Sequence, residues 1–340
     1  MVTESRAGVV PVAICVPARD EAASLPGLFA ALELLDRRDV SPVLCLLLDS
    51  CEDASADVVR DYGARASLPV MVEHMVQPGA NAGRARHAAM LLGLSALGGE
   101  GLLLSTDADS TPAPDWLQAM VAGARRADIV AGKVVRTVTR PNPLQDRIER
   151  YYEALHAIRR VLDPVAWEAT TSHHHASGAN LGLPTAAYRT LGGFLPLSHG
   201  EDARLVDDAA RAGLRVRRDA ASVVHTSDRR LGRVAQGLAG ALRALDRDSD
   251  AIAVAHPEDV AWQYRRHAEA RHAFAGGDYP SLAAAIGLTT DHVRGVARDC
   301  ANAEAFAMCV VPTPPAGMRQ VTLAEAEAAL ASMAAGRRAA

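Results

Sequence analysis

Aromatic side chains are scarce in this 340-residue chain: Phe, Tyr and Trp together make up 4% of it. A core without them has to be built from Ala, Leu and Val, and a hydrophobic content of 49% is ample for that. No run approaches the roughly 20 apolar residues that span a bilayer. The opening Met1-Val2-Thr3-Glu4-Ser5-Arg6 leads into no long apolar region of the kind a signal peptide needs. Net positive charge is missing as well, and the formal value of -4 leaves no footprint for nucleic acid. Five cysteines, an odd number without metal-type spacing, point to reduced thiols and a cytoplasmic setting. Cys15 and Cys45 fall in strand-like runs and read as small core residues, and Cys300 and Cys309 also read as core thiols. Lysine is scarce where Ala and Arg abound, a bias of base composition. No fixed-period repeat is present. A soluble globular α/β protein with one large domain and an appendage, or with two domains, is what remains.

The first 135 residues alternate strand and helix. Val12–Val16, Val43–Leu48, Val70–Glu73, Leu102–Ser105 and Ile129–Val134 are apolar runs of strand length. Several carry apolar residues on both faces, which suits parallel strands covered by helices. The segments between them read as helices: Ser24 caps one that runs to Leu35, Gly63 closes one that starts at Ser55, Arg84–Leu97 forms another, and Pro114 opens the next. Repeated β-α-β units predict right-handed crossovers and a mostly parallel, twisted sheet. Pro141–Leu162 then reads as one long helix, Pro184–Leu191 as a short one, and Gly200-Glu201-Asp202 as the start of another that ends at Gly213. Arg215–Arg218 and Ser222–His225 read as two short strands. From Leu231 onward the pattern is helical, with a frayed tail after Gly336.

The chemistry gathers at the exits of the strands, where an open α/β sheet forms its ligand crevice. Thr106-Asp107-Ala108-Asp109 follows a buried strand and sets two carboxylates at i and i+2. Such oxygens suit Mg²⁺ or Mn²⁺, which in turn holds a diphosphate. Asp is also common in turns for purely local reasons, so the neighbouring junctions decide. Val16-Pro17-Ala18-Arg19-Asp20-Glu21 ends the first strand and offers a cation in Arg19, or a surface turn with an ion pair. Asp49 ends the second strand, where it either accepts the N3–H of a uracil ring or serves structure alone; Asp53 and Ser55 cap the next helix. The third junction, Gly79-Ala80-Asn81-Ala82-Gly83-Arg84-Ala85-Arg86, combines small residues, helix amides and two guanidinium groups, a set that favours a diphosphate. Neither a Gly-x-Gly-x-x-Gly fingerprint at the first junction nor a Gly-Lys-Ser/Thr element is there.

Taken together, these junctions resemble the family 2 glycosyltransferases of the GT-A fold. The resemblance continues at Ser177-Gly178-Ala179-Asn180-Leu181, Gly192-Gly193-Phe194 and Gly200-Glu201-Asp202, and it covers roughly residues 10 to 230. Asp20 stands where the family more often has Asn, and Asn81–Arg86 matches its Asn-x-Gly-x-x-x-Arg element loosely. The resemblance implies a GT-A type, Rossmann-like sheet flanked by helices. It divides the chain into a nucleotide-sugar-binding half (1–135), an acceptor-binding and catalytic half (136–235) and a helical C-terminal extension (236–340). Asp49 would contact the base, with Pro17, Ala18, Arg19 and Glu21 lining its pocket. Gly83 and Arg86 would face the diphosphate. Asp107 would touch the ribose or the metal, Asp109 would bind the metal, and His225 would be a late ligand. Asp202, with Glu201 beside it, would be the catalytic base of an inverting transfer from a nucleotide-diphospho-sugar, a UDP-sugar in this reading. The acceptor would be a small-molecule or lipid-linked hydroxyl, the cofactor Mn²⁺ or Mg²⁺, and the chain could pair as a homodimer.

The chemistry supports these roles independently. One carboxylate suffices to deprotonate the acceptor. A metal offsets charge on the leaving group, so no protein acid is required. Asp202 sits at a helix start, where the dipole favours its charged form. Weaker candidates are His173-His174-His175, read as a solvated loop near the acceptor, and Arg229-Arg230-Leu231-Gly232-Arg233, read as a phosphate clamp, a closing lid or an exposed helix start. His267 and Arg271 read as surface. Two other functions stay open. A sugar-phosphate nucleotidyltransferase would favour a Lys near the first strand, where this chain has Arg19. A non-catalytic nucleotide-sugar-binding protein would hold UDP and metal without turnover.

Overall fold

The computed structural model describes residues 8–137, 141–227 and 253–339. They divide into two compact units, the first made of 8–137, 167–209 and 215–227, the second of 141–166, 210–214 and 253–339. The segment Arg229–Arg233 lies outside the described residues.

The first unit is a sheet with helices against it. Along the chain run β1 (Val10–Ala18), α1 (Leu25–Glu33), β2 (Val40–Asp49), α2 (Ser55–Gly63), β3 (Val70–Met75), α3 (Ala82–Leu97), β4 (Leu102–Ser105), β5 (Ser110–Pro112), α4 (Trp116–Ala124) and β6 (Ile129–Thr137). After α5 (Pro143–Leu162), which belongs to the second unit, come β7 (Leu181–Pro184), α6 (Thr185–Leu191), α7 (Glu201–Arg211) and β8 (Val216–Ser227). The sheet order is β3-β2-β1-β4-β7-β6-β8-β5. β3, β2, β1 and β4 are parallel neighbours, as the apolar runs predict. Val12 to Val16 are wholly buried, in keeping with helices on both faces of the strand.

The far half of the sheet is mixed. β7 is antiparallel to both β4 and β6, and β5 is antiparallel to β8. Four residues are too few to show a direction in their hydrophobic pattern, so β7 was not legible as a strand. The two short strands expected at 215–225 are one continuous β8, paired in parallel with β6 across a register shift at Gly132/Lys133. Ser24 does occupy the N-cap of α1, but its side chain makes no capping bond and the helix ends at Glu33.

Where β6 begins, Asp128 receives Arg215 through Nε at 3.0 Å, NH2 at 2.9 Å and the backbone N at 2.8 Å. These bonds hold the Asp128 carboxyl below its ordinary range, with the Arg215 side-chain hydrogen bonds the largest cause. A carboxylate with a depressed folded-state pKa stabilises the fold above its unfolded pKa, and that stability is lost as pH falls through the folded value. Asp128→Asn is therefore expected to cost about 0.5–1 kcal/mol at pH 7. Urea titrations should show the gap closing below about pH 4, near the unfolded Asp pKa.

The second unit is helical: α5, then β9 (Ala253–Ala255), α8 (Pro257–Gly276), α9 (Tyr279–Ile286), α10 (Thr290–Asp299), α11 (Ala303–Val310), β10 (Gln320–Thr322) and α12 (Leu323–Ala339). One apolar cluster gathers Ala270, Leu282, Val293 and Phe306, and a second gathers Tyr151, Leu155, Val254, Leu323 and Ala326. Arg271, expected on the surface, is instead a half-buried tie that bonds Glu304 at 2.7 Å and pairs with Asp163. A helical spacing of polar residues does not reveal a carboxylate waiting on another helix. Cys300 and Cys309 are half-buried and exposed rather than core, because each sits at or near the end of a short helix. The Cys300 thiol is pushed up to about 11, mainly by burial and the neighbouring Cys309. All five cysteines are free. No helix among the described residues is long and apolar enough to cross a membrane.

Candidate functional site

Three strand exits of the first unit meet at Asp49. Its carboxylate, 3% exposed as a residue, ends β2. Ser50 Oγ donates to Oδ1 at 3.0 Å, Gln77 Nε2 donates to Oδ2 at 2.6 Å, and Arg19 NH1 stands 3.6 Å away. Asp20 and Ser50 hold positive φ, 51° and 49°, a conformation L-residues adopt at a cost that surrounding bonds must offset. Ser50 Oγ also accepts from the Gln77 amide at 3.0 Å, and Asp20 Oδ1 accepts from the Glu52 amide at 2.7 Å. Asp53 and Ser55 do not cap α2 as expected: its N-cap is Ala54, which makes no side-chain capping bond, and Ser55 is the first helical residue, its amide donating to Asp53 Oδ1 at 2.9 Å. Asp53 accepts from the Ala22 amide at 3.0 Å and Ser55 from the Glu21 amide at 2.8 Å, so the first and second junctions are laced together. Pro17 and Ala18 lie on β1 directly beside Leu47 and Leu48, and Glu21 is buried.

The third junction is built differently from the expected phosphate cradle. Asn81 does cap α3, accepting from the Arg84 amide at 2.9 Å, but its side chain also donates to Pro196 O at 2.9 Å. The Gly83 amide donates to Leu197 O at 2.9 Å. A Cβ on Gly83 would collide with the backbone of Leu195 and stand 2.8 Å from Leu197 N. The small residue thus serves close approach of the 195–197 segment, and amides that could have faced a phosphate already have protein acceptors.

Arg86 is the centre of the site. It is 8% exposed and engages four groups at once. Nε donates to Glu201 Oε1 at 3.1 Å, NH1 to Ser105 Oγ and to Gly178 O, both at 2.9 Å, and NH2 pairs with Asp107 Oδ1 at 2.9 Å. That accounts for four of its five N–H groups. Burial opposes its charge, but the carboxylates of Asp107, Glu201 and Asp202 outweigh burial and hold the guanidinium above the ordinary arginine range. A Cβ at Gly178 would stand 2.5 Å from Arg86 Nε, so only glycine admits this approach. Phe194, of the Gly192-Gly193-Phe194 motif, lies with its ring centroid 5.8 Å from the guanidinium carbon. Arg86 therefore joins protein groups, where the sequence had suggested it would face a diphosphate directly.

Glu201 and Asp202 open α7 after Gly200, which adopts φ 73°. Their fates differ. Glu201 is 4% exposed and bonded to Arg86, so it positions Arg86 and presents no base to a substrate. Asp202 is half-buried, and its two oxygens accept from the Gly178 amide and the Ala203 amide, each at 2.8 Å. Gly178 thus touches Arg86 through its carbonyl and Asp202 through its amide.

Asp107 and Asp109 occupy the turn between β4 and β5, both half-buried. This pair of hard oxygen donors fits Mn²⁺ or Mg²⁺. His225 is on β8 beside Thr111 of β5, with an exposed side chain. Among the described residues the ligand atoms of Asp107, Asp109 and His225 do not lie within 4.8 Å of one another. Asp107 is drawn to Arg86 instead.

Two further residues were given no role of their own by the sequence, although Asn180 belongs to the Ser177–Leu181 segment named above. Gln77, just past β3, donates to Asp49 at the end of β2, and its place after a third parallel strand was the available signal. Asn180 is wholly buried and takes Trp116 Nε1 at 2.8 Å while donating to Lys133 O and Ser222 O at 2.9 and 3.1 Å, which locks β6, β8 and α4 together. His173 is also structural: the His175 amide donates to its Nδ1 at 3.0 Å, which leaves Nε2 to donate to Ala131 O at 3.1 Å. The loop expected to be solvated is pinned to β6 by that ring.

Comparison with known proteins agrees with this architecture. Residues 13–179 match a family model described as Glycosyl transferase family 2. No curated protein sequence matches the chain. Among solved structures, GalNAc-T7 with UDP, GalNAc and Mn²⁺ is similar over 91% of this chain and 59% of that one, at 12% identity and a TM-score of 0.50. TarS of S. aureus with UDP-GlcNAc is similar over 96% and 92%, at 15% identity and a TM-score of 0.49. The mannosyltransferase PcManGT of Pyrobaculum calidifontis, with GDP-Man and Mn²⁺, is similar over 96% and 76%, at 19% identity and a TM-score of 0.48. At such identities a structural likeness bears on the fold alone.

Proposed function

We propose that this chain, which matches the Glycosyl transferase family 2 model over residues 13–179, is a glycosyltransferase that moves a sugar from a nucleotide-diphospho-sugar, a UDP-sugar, to an acceptor hydroxyl with inversion at the anomeric carbon. The acceptor is a small molecule or a lipid-linked alcohol. One observation carries the reading: a single buried guanidinium, Arg86, ties Asp107 of the acidic pair to Glu201 and, through Gly178, to Asp202.

In this reading Asp49 receives the N–H of the base, with Pro17, Ala18 and Arg19 beside it. Asp107 and Asp109 would hold Mn²⁺ or Mg²⁺, with His225 as a further candidate. Bound there, the ion would offset charge on the departing diphosphate. Asp202 takes the proton of the acceptor hydroxyl while that oxygen forms its bond to C1, and the bond from C1 to the donor phosphate oxygen breaks on the opposite face. The two amides on Asp202 fix the carboxylate plane, which limits the orientations it must lose at the moment of proton transfer.

Release of UDP from UDP-sugars, measured with and without divalent metal, tests the assignment. We expect turnover in Mn²⁺ or Mg²⁺, none in EDTA, and none in Asp109→Ala. Undiminished activity in EDTA would remove the metal from the account.

A further inference from the structure

The second unit holds a cleft that the transfer chemistry does not use. It measures about 500 Å³ and is lined by Phe274 at the end of α8, Tyr279 at the start of α9, and Asp291, Arg294, Ala297 and Arg298 of α10. Small-molecule sites commonly fall in the range of about 300–1,000 Å³, apolar with a few convergent polar groups.

The aromatic side of the cleft is backed by a third ring. The rings of Phe274 and Tyr279 both pack on wholly buried Phe306, at centroid distances of 5.4 and 6.0 Å. Neither is itself wholly buried, so ring surface is left toward the cleft. In a chain this poor in aromatics, two half-covered rings in one concavity are unusual. The charged side is uncommitted. Arg294 and Arg298 are four residues apart on α10 and share a helix face, where like charges repel. Their side chains and that of Asp291 are exposed, and no hydrogen bond or ion pair among the described residues engages them. By contrast Arg271, on the neighbouring α8, is fully matched by carboxylates. Two unpaired guanidinium groups beside two aromatic faces form a site for a ligand that brings both an anion and a flat apolar surface.

We propose that this cleft binds a phosphorylated hexose. Its phosphate takes the fork-like donors of Arg294 and Arg298. The apolar face of its pyranose ring lies against Tyr279 and Phe274, and Asp291 accepts from a ring hydroxyl. The choice of a sugar rests on the glycosyltransferase reading, while the anion and the ring surface rest on the cleft itself.

The test is calorimetric titration of the full-length protein, kept in saturating UDP and Mn²⁺ so that the donor pocket is filled. Glucose 6-phosphate, glucose and inorganic phosphate are titrated separately. Glucose 6-phosphate is expected to bind about ten-fold more tightly than either fragment, and Arg294→Gln/Arg298→Gln to weaken it by about ten-fold or more, the scale of a lost charge-assisted pair. Tyr279→Leu should weaken the sugar phosphate and leave phosphate unchanged. Because Tyr279 packs on Phe306, thermal melts accompany it, and the arginine pair decides alone if that variant unfolds. Phosphate binding as tightly as the sugar phosphate, or the double arginine variant binding unchanged, would overturn the proposal. Failure of UDP to bind, with glucose 6-phosphate still bound, would count against the donor site and leave the cleft standing.

Discussion

Replacing Arg86 with methionine is expected to cost about 3–5 kcal/mol of stability and to abolish transfer. The reason is the asymmetry of a buried ion network. With Arg86 present, the carboxylate of Glu201 faces an N–H donor at 3.1 Å and that of Asp107 a cation at 2.9 Å. Without it, the Glu201 carboxyl is left at 4% exposure with its partner gone, and Ser105 Oγ and Gly178 O lose a shared donor. Desolvation that the guanidinium had offset is then unopposed. Arg86→Lys should recover part of the stability, since it restores charge but not the planar set of N–H groups. Urea midpoints and kcat/KM on the three proteins check this. A methionine variant as stable and active as the parent would mean that Arg86 joins nothing of consequence.

Asp202→Asn is expected to lower kcat by about 10²–10⁴-fold, the usual worth of a positioned general base, while donor affinity is kept. Asparagine has the same size but cannot take a proton, and it offers one acceptor oxygen where the carboxylate offers two. Either the Gly178 or the Ala203 amide therefore loses its partner, and a small loss of stability should accompany the loss of rate. Glu201→Gln separates the two roles. It can still accept from Arg86, so its effect should fall on stability first and on kcat weakly. The split between kcat and KM, read with UDP binding measured independently, distinguishes a missing base from a disturbed donor pocket. Full kcat in Asp202→Asn would place the base elsewhere.

The parallel half of the sheet was readable because its signal is local. Apolar runs of strand length at Val12, Val43 and Leu102 each end in a polar junction, and those junctions supplied Asp49, Asp107 and Asp109 as candidates. What escaped was every feature that depends on a partner distant in sequence. The antiparallel seat of β7 is set by β4 and β6, not by the four residues of β7. Gly83 looked like a cradle for a ligand because nothing in residues 79–86 announces that 195–197 lies on it. Arg86 looked like a diphosphate contact because Glu201 is 115 residues away. His173 looked solvated because its acceptor is a backbone carbonyl, which has no sequence signature. Gln77 and Asn180 carry no charge and sit in loops or a single turn, where a polar amide is ordinary until its partners are known.

The stereochemistry of transfer bears most directly on the claim that Asp202 activates the acceptor for attack opposite the diphosphate. Proton NMR of the product formed from an α-linked UDP-sugar reads it in one spectrum, since a glycoside does not anomerise in neutral water. A β-linked product is the outcome predicted by a single carboxylate base. An α-linked product would mean retention, and Asp202 could not then hold the role assigned to it.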